Sequence, residues 1–367
     1  MRRALVVAMC GAAVACSVLT SFDGIAPHPP LGPDADTDAN VADGPAATDA
    51  GCALSRWPPP PTLADPQVDV GELTSALTRL HVLDAVAAGT QEGFDLDGLC
   101  TCPDRAACVG NKPGEPCDLA DGGVDNAGEG LFRLFQSQGV ALDDTGLRTG
   151  IVEGQYGIVI QLSGYDGEAD DPDVAVRIFN AAGVNGDGGR PREDGSDEWT
   201  VDSESLLDVG KGLPAYFSTR AYVSGGTLVA EVARLVVRAR LPTGKNAWSL
   251  LQIEITNARV VAHIGARSGS GVALESGHIA GRMSLSSVLA QGMRSGVCRD
   301  SGVYDALKPV VCAARDLPLD PSKDGRDTPC DALSIGIGFD GVSARRAPGS
   351  SERVDVSPCD IVPDDCP

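Results

Sequence analysis

Ala233-Arg234-Leu235-Val236-Val237-Arg238-Ala239-Arg240-Leu241 places Ala233, Leu235, Val237, Ala239 and Leu241 on one side of an extended chain and Arg234, Arg238 and Arg240 on the other. Side chains alternate with period two along a strand, so the stretch reads as a half-buried β-strand. The same alternation recurs nearby. Ile158, Ile160 and Leu162 alternate with Val159, Gln161 and Ser163, and Val174, Val176 and Ile178 with Ala175, Arg177 and Phe179. Leu251, Ile253 and Ile255 alternate with Gln252, Glu254 and Thr256, and a last apolar run spans Leu333 to Phe339. Turn-forming residues separate these runs at Tyr165-Asp166-Gly167, Ser224-Gly225-Gly226 and Pro242-Thr243-Gly244. The expectation is a mainly β domain over 146–345, an antiparallel β-sandwich or barrel with two or three short helices.

Three helices are expected. One follows Asn126 as cap, with Leu131, Leu134 and Phe135 on one face and a stop at Gly139. Another follows Ser284, through Leu285, Val288 and Leu289 to Gly292. The third starts near Asp305 and runs through Leu307, Val310 and Val311, which puts Pro309 in its first turn.

Composition narrows the partners. Fifty-one acidic and 29 basic residues give a formal charge of −22, which repels nucleic acid and anionic bilayers and favours cations. Aromatic residues are 4% of the chain, so the core must be built from Val, Leu, Ile and Ala. Residues 346–367 form a polar, Cys-containing tail. Residues 67–145, where cysteines and Asp-Gly turns crowd together, read as a small disulfide-rich module. Twelve cysteines are present; setting aside Cys10 and Cys16 leaves Cys52, Cys100, Cys102, Cys108, Cys117, Cys298, Cys312, Cys330, Cys359 and Cys366 as disulfide candidates. Cys359 and Cys366 either close a terminal loop or pin the terminus to the domain.

Met1-Arg2-Arg3, the apolar run Ala4 to Val14 and the small residues Ala13-Val14-Ala15 have the parts of a secretory signal covering 1–15. Cys16 after small residues resembles the lipobox of bacterial lipoproteins, which implies lipidation of Cys16 and attachment to a membrane through that lipid. Residues 16–66, rich in Pro, Asp, Ala and Thr, read as a disordered tether holding the folded part away from the membrane. Signal, tether, Cys-rich module and β domain together resemble uncharacterised surface lipoproteins of Gram-negative bacteria. That resemblance implies an outer-membrane or cell-surface location and an envelope or extracellular ligand, and it assigns no catalytic residue.

Two acidic groups are candidate calcium ligands: Asp95, Asp97, Asp118, Asp121 and Asp125 in Asp-Gly turns, and Asp166, Glu168, Asp170, Asp171 and Asp173 in a loop between strands. Carboxylates two to four residues apart, with glycines for tight turns, can collect the six to eight oxygens that calcium takes. The first group looks like fragments of the loops of EF-hand, dockerin and thrombospondin type 3 repeats. The same residue types also form turns and caps without any ion. No nucleophile elbow, zinc helix or phosphate-binding loop occurs. Gly336-Ile337-Gly338-Phe339-Asp340-Gly341 matches a dinucleotide fingerprint in letters but lacks the helix a pyrophosphate needs. His263 and His278 read as surface residues of strands, and the arginines of 233–241 as partners for acids on neighbouring strands.

Three functions follow: a non-catalytic, calcium-stiffened envelope protein whose β domain binds a ligand or partner; a secreted metal- or carboxylate-dependent hydrolase; or a structural spacer.

Overall fold

The alternating runs become long strands, and the ladder they form closes on itself. The structure, a computed structural model, describes residues 55–62, 71–81, 92–99, 108–109, 123–137, 143–184, 189–244, 247–325, 327–352 and 357–366. Cys16, Cys52, Cys100, Cys102, Cys117, Asp118 and Asp121, with the signal and most of the tether, lie outside these residues. In chain order the strands are β1 (Leu73–His81), β2 (Gly157–Ser163), β3 (Asp171–Val184), β4 (Glu198–Asp202), β5 (Leu206–Asp208) and β6 (Leu213–Pro214). They continue as β7 (Tyr216–Ser224), β8 (Thr227–Gly244), β9 (Ala247–Ser268), β10 (Gly271–Ser284), β11 (Ala332–Ser343) and β12 (Arg345–Ser351).

The main sheet runs β12-β4-β3-β2-β1-β11-β10-β9-β8-β7, and β7 pairs back onto β3. β3 carries β2 on one edge; on the other it carries β7 up to Ile178 and β4 from Ala181 onward. The strands from β3 through β7 therefore form a closed antiparallel barrel, with β4 and β12 as a flap at its seam. Closure removes the unpaired edges that an open sheet would expose. Ile158, Ile160, Leu162, Val174, Val176 and Ile178 are buried on the inward face, while Arg177 and the exposed Phe217 mark the outward one. A barrel of this size is just wide enough for aliphatic side chains to fill it.

The arginine-rich strand pairs as its sequence suggested. Arg234 meets Glu254 at 2.6 Å on β9, and Arg238 meets Asp202 at 3.3 Å and Glu204. The inward register differs from expectation at one point. Leu235, Val237, Ala239 and Leu241 are buried, but Ala233 is exposed, and the first half of β8 buries Leu228, Ala230 and Val232 instead. The partner strand changes face opposite this point, at Asn257, whose φ of 50° lies in the left-handed region.

Four helices flank the strands among the described residues: α1 (Ala127–Ser137), α2 (Asp144–Val152), α3 (Leu285–Arg294) and α4 (Gly302–Ala313). α1 begins where expected, but the Asn126 side chain does not cap it. Its amide donates to the carbonyls of Glu92 and Gly336 and accepts from the Gly336 N–H, stitching the helix entrance to β11. The buried face is Gly128, Leu131 and Phe132, with Phe135 partly buried. α2 had no signal in the alternation. It is capped by Asp143, which accepts from the Gly146 N–H at 2.8 Å, and buries Leu147 and Ile151. α3 starts at its Ser284 cap and continues past Gly292 to Arg294. α4 starts earlier than expected, at a Ser301 cap, so Pro309 lies inside the helix and leaves one turn without its backbone bond.

Three disulfides join described residues: Cys108–Cys330, Cys298–Cys359 and Cys312–Cys366. The tail is thus pinned to α4 and its approach, and Cys359 and Cys366 do not bridge each other. β1, within the stretch read as a separate module, sits between β2 and β11 as a wall strand of the barrel. Trp57, read as tether, stacks under Arg259 at 4.4 Å and meets Phe94 edge-on, and the Tyr222 hydroxyl donates to the Pro58 carbonyl.

Candidate metal centre

The segment 92–99 crosses the outside of β10 and β11, and glycines make the crossing possible. A Cβ on Gly336 would sit 1.9 Å from the Glu92 carbonyl oxygen, and one on Gly338 would meet the Glu92 carboxylate. The letters that resembled a dinucleotide fingerprint are therefore spacing for an overlying chain. The segment is further held by the Asp95 N–H on the Ser55 carbonyl and by the Asp125 N–H on the Phe94 carbonyl.

Asp95, Asp97 and Asp125 converge beneath this crossing, each offering an oxygen within 4.8 Å of the other two. Asp95 is 1% exposed and Asp125 6%. Backbone amides orient all three: Gly98 donates to Asp95 at 2.6 Å, Leu99 to Asp97 at 2.7 Å and Leu96 to Asp125 at 2.7 Å. Asp97 Oδ2 is buried with no hydrogen-bond partner. Oxygens on opposite sides of one calcium ion stand at most about 5 Å apart, twice the metal–oxygen distance, so the spacing suits such an ion.

Among the described residues, charge around the cluster is out of balance. Arg56 pairs with Asp95 at 2.9 Å, and the buried Arg282 grips Asp324 through two bonds of 2.7 and 2.6 Å while donating to the carbonyls of Pro318 and Leu96. Asp316 lies close enough to act on Asp125, and Asp324 on Asp97. Among the described residues, the four carboxylates of Asp95, Asp97, Asp125 and Asp324 thus face the two guanidiniums of Arg56 and Arg282. Burial first, then the charges of Asp95 and Asp324, push the Asp97 carboxyl up to about 7 against the pull of the Leu99 amide. Burial and the charges of Asp97 and Asp316 likewise hold Asp125 well above the usual carboxylate range. Burial and like charge therefore favour protons or a cation at this cluster.

The second acidic loop is built differently. Asp171 accepts from the amides of Asp166 and Asp173, Asp166 from that of Glu168, and Asp170 from that of Gly225. The Glu168 carbonyl accepts from the Tyr165 hydroxyl. These carboxylates shape their own turn, and although Asp166 Oδ2 is buried without a partner, no trio among them comes together as Asp95, Asp97 and Asp125 do. His278 lies on β10 as expected, with Nδ1 2.7 Å from Glu92.

Comparison with family models, with curated proteins and with solved structures finds no match to this chain.

Asp95, Asp97 and Asp125 stand out in the sequence, whereas Arg282, Asp316 and Asp324 do not. One signal was present: Arg282 interrupts the apolar run Ile279 to Met283, and a charge inside a strand of that kind needs a buried partner.

Proposed function

We propose that this is an exported protein, anchored at the cell envelope through a lipid on Cys16, whose barrel is a non-catalytic binding module stiffened by one calcium ion at Asp95, Asp97 and Asp125. The observation that carries the calcium assignment is the convergence of three carboxylates, supplied by two segments of the chain, with more negative charge than Arg56 and Arg282 balance. Three disulfides between residues far apart in sequence fit an oxidising compartment. The ion would tie 95–97 to Asp125, and through them bind the outer crossing to the barrel wall.

The test is a calorimetric titration of calcium into the oxidised, metal-stripped chain beginning at Cys16 or Ser17, followed by melts with and without the ion. Saturable heat with a raised melting temperature is expected. Absence of both heat and shift overturns the assignment.

One observation favours the hydrolase alternative: an aspartic acid pushed up to about 7 is in the range of a general acid. That reading requires turnover of a model ester or glycoside that Asp97→Asn abolishes, and unaffected turnover in the variant removes it.

A further inference from the structure

A second constellation lies on the outer face of β1, β2 and β3, on residues separate from the aspartate cluster. Gln161 Nε2 donates to Glu72 at 2.9 Å and to the Thr74 hydroxyl at 3.2 Å, and Arg177 pairs with the other Glu72 oxygen at 2.8 Å. Arg346 reaches in from β12 and stacks its guanidinium 4.5 Å above the Phe179 ring. Its hydrogen bonding is poor: one contact of 3.4 Å to Gln161 Oε1, and a buried Nε with no acceptor. A guanidinium carries five N–H donors and keeps its charge, so Arg346 has donors to spare for an anion. Burial, reinforced by the nearby Arg177 and opposed by Glu72, lowers the Arg346 pKa from its ordinary value. Arg177 and Arg346 leave this patch positive by one charge after Glu72, in a chain whose formal total is −22.

Apolar residues flank this patch. Phe217 stands directly opposite Arg177 in the β3–β7 ladder, hence on the same outer face, and is 47% exposed. The β5–β6 hairpin brings Gly212 against Arg346, where a Cβ would lie 3.2 Å from Nη2. That hairpin also exposes Leu207, Val209 and Leu213. Exposed large side chains on the strand and hairpin that flank an under-satisfied cation offer an amphipathic surface, which isolated exposed leucines would not.

We infer that this face binds a single-chain anionic amphiphile, its carboxylate or phosphate head on Arg346 and its hydrocarbon chain across Leu213 and Phe217. The charge of the chain favours one molecule over a membrane surface. A formal −22 repels an anionic bilayer, whereas one head group meets only the local positive patch. The inference rests on the reading of the barrel as a binding module and names its ligand class. It shares no residue with the aspartate cluster, so failure of the calcium titration leaves it standing.

The experiment is calorimetry of dodecanoate and, separately, dodecyl phosphate, each below its micelle concentration, into the oxidised chain. Acetate, a neutral dodecyl glycoside and anionic phosphatidylglycerol vesicles serve as comparisons. Saturable binding of at least one anionic amphiphile is expected, at least tenfold tighter than acetate or the glycoside. Arg346→Gln should weaken it at least tenfold. Phe217→Ser, an exposed change that spares the fold, should weaken it severalfold at an unchanged melting temperature. Equal binding by both variants, binding only to vesicles, or no binding of either amphiphile overturns the proposal.

Discussion

Replacing Asp97 with asparagine should act in opposite directions with and without calcium. Without the ion, the fold raises the Asp97 carboxyl from 3.8 to about 7, so the folded state favours the protonated acid. For a raised carboxyl the contribution to stability is fullest below pH 4, declines as pH rises from about 4 to about 7, and stays low above that, because the unfolded chain ionises first. Three pH units correspond to about 4 kcal/mol. Solvent at the partly exposed Asp97 reduces that to roughly 2–3 kcal/mol. Asparagine imitates the protonated acid: it is neutral, and one oxygen still accepts from Leu99. Metal-free Asp97→Asn should therefore be more stable than the parent at pH 8 by about that amount, on the order of 5 °C in melting temperature. The two proteins should converge at pH 4. With calcium at one hundred times its dissociation constant the parent gains about 2.7 kcal/mol, and the variant, short of one carboxylate, gains less. Melts of both proteins from pH 4 to 9, with chelator and with calcium, check this. Parallel pH profiles in chelator would show that Asp97 is not the strained acid of the cluster and refute the reasoning.

Gly336→Ala should lift the 92–99 crossing off β11, because its Cβ would stand 1.9 Å from the Glu92 carbonyl oxygen; calcium affinity measured by calorimetry should fall at least tenfold while the far-ultraviolet circular dichroism keeps its β signature. Leu77→Ala should cost about 2–5 kcal/mol in a denaturant melt, the range for a leucine wholly buried in a core. The loss should appear in one cooperative transition, because β1 is a wall strand; a separate early transition would mark an independent module.

The strands were legible because large aliphatic residues recur at period two in the sequence and the apolar runs are bounded by Asp-Gly and Gly-Gly turns. Closure into a barrel was not, since it depends on β3 changing partners between Ile178 and Ala181, and pairing of distant segments leaves no local trace. α2 escaped for a different reason. Its nine residues include Gly146 and Gly150, poor helix formers, and Gly150 is there because a Cβ would strike the Arg240 carbonyl of β8 and the Tyr156 ring. Pro309 misled in the opposite sense: its usual place in a first turn suggested a start near Asp305, yet the Ser301 hydroxyl, accepting from the Tyr304 N–H, sets the start.

The two acidic groups show what a composition-level reading of aspartates can and cannot separate. Both have carboxylates two to four residues apart beside glycine, and by that measure the 166–173 loop is the richer. Within it, Asp166, Asp170 and Asp171 accept backbone N–H groups from the loop or from the neighbouring turn at Gly225, so local turn geometry accounts for their presence. Asp95 and Asp97 also accept local amides, but Asp125 arrives from a segment 29 residues beyond Leu96, whose amide it accepts. Bringing it there sets burial and like charge against the fold. A fold that accepts such a cost at one place, while the other acidic loop satisfies itself, makes the first the place where a cation would change stability most. Both proposed sites lie outside the barrel for a common reason. Val, Leu and Ile fill the interior, so recognition is left to segments laid across the wall, at β10 and β11 by 92–99 and at β2 and β3 by the β5–β6 hairpin with Arg346.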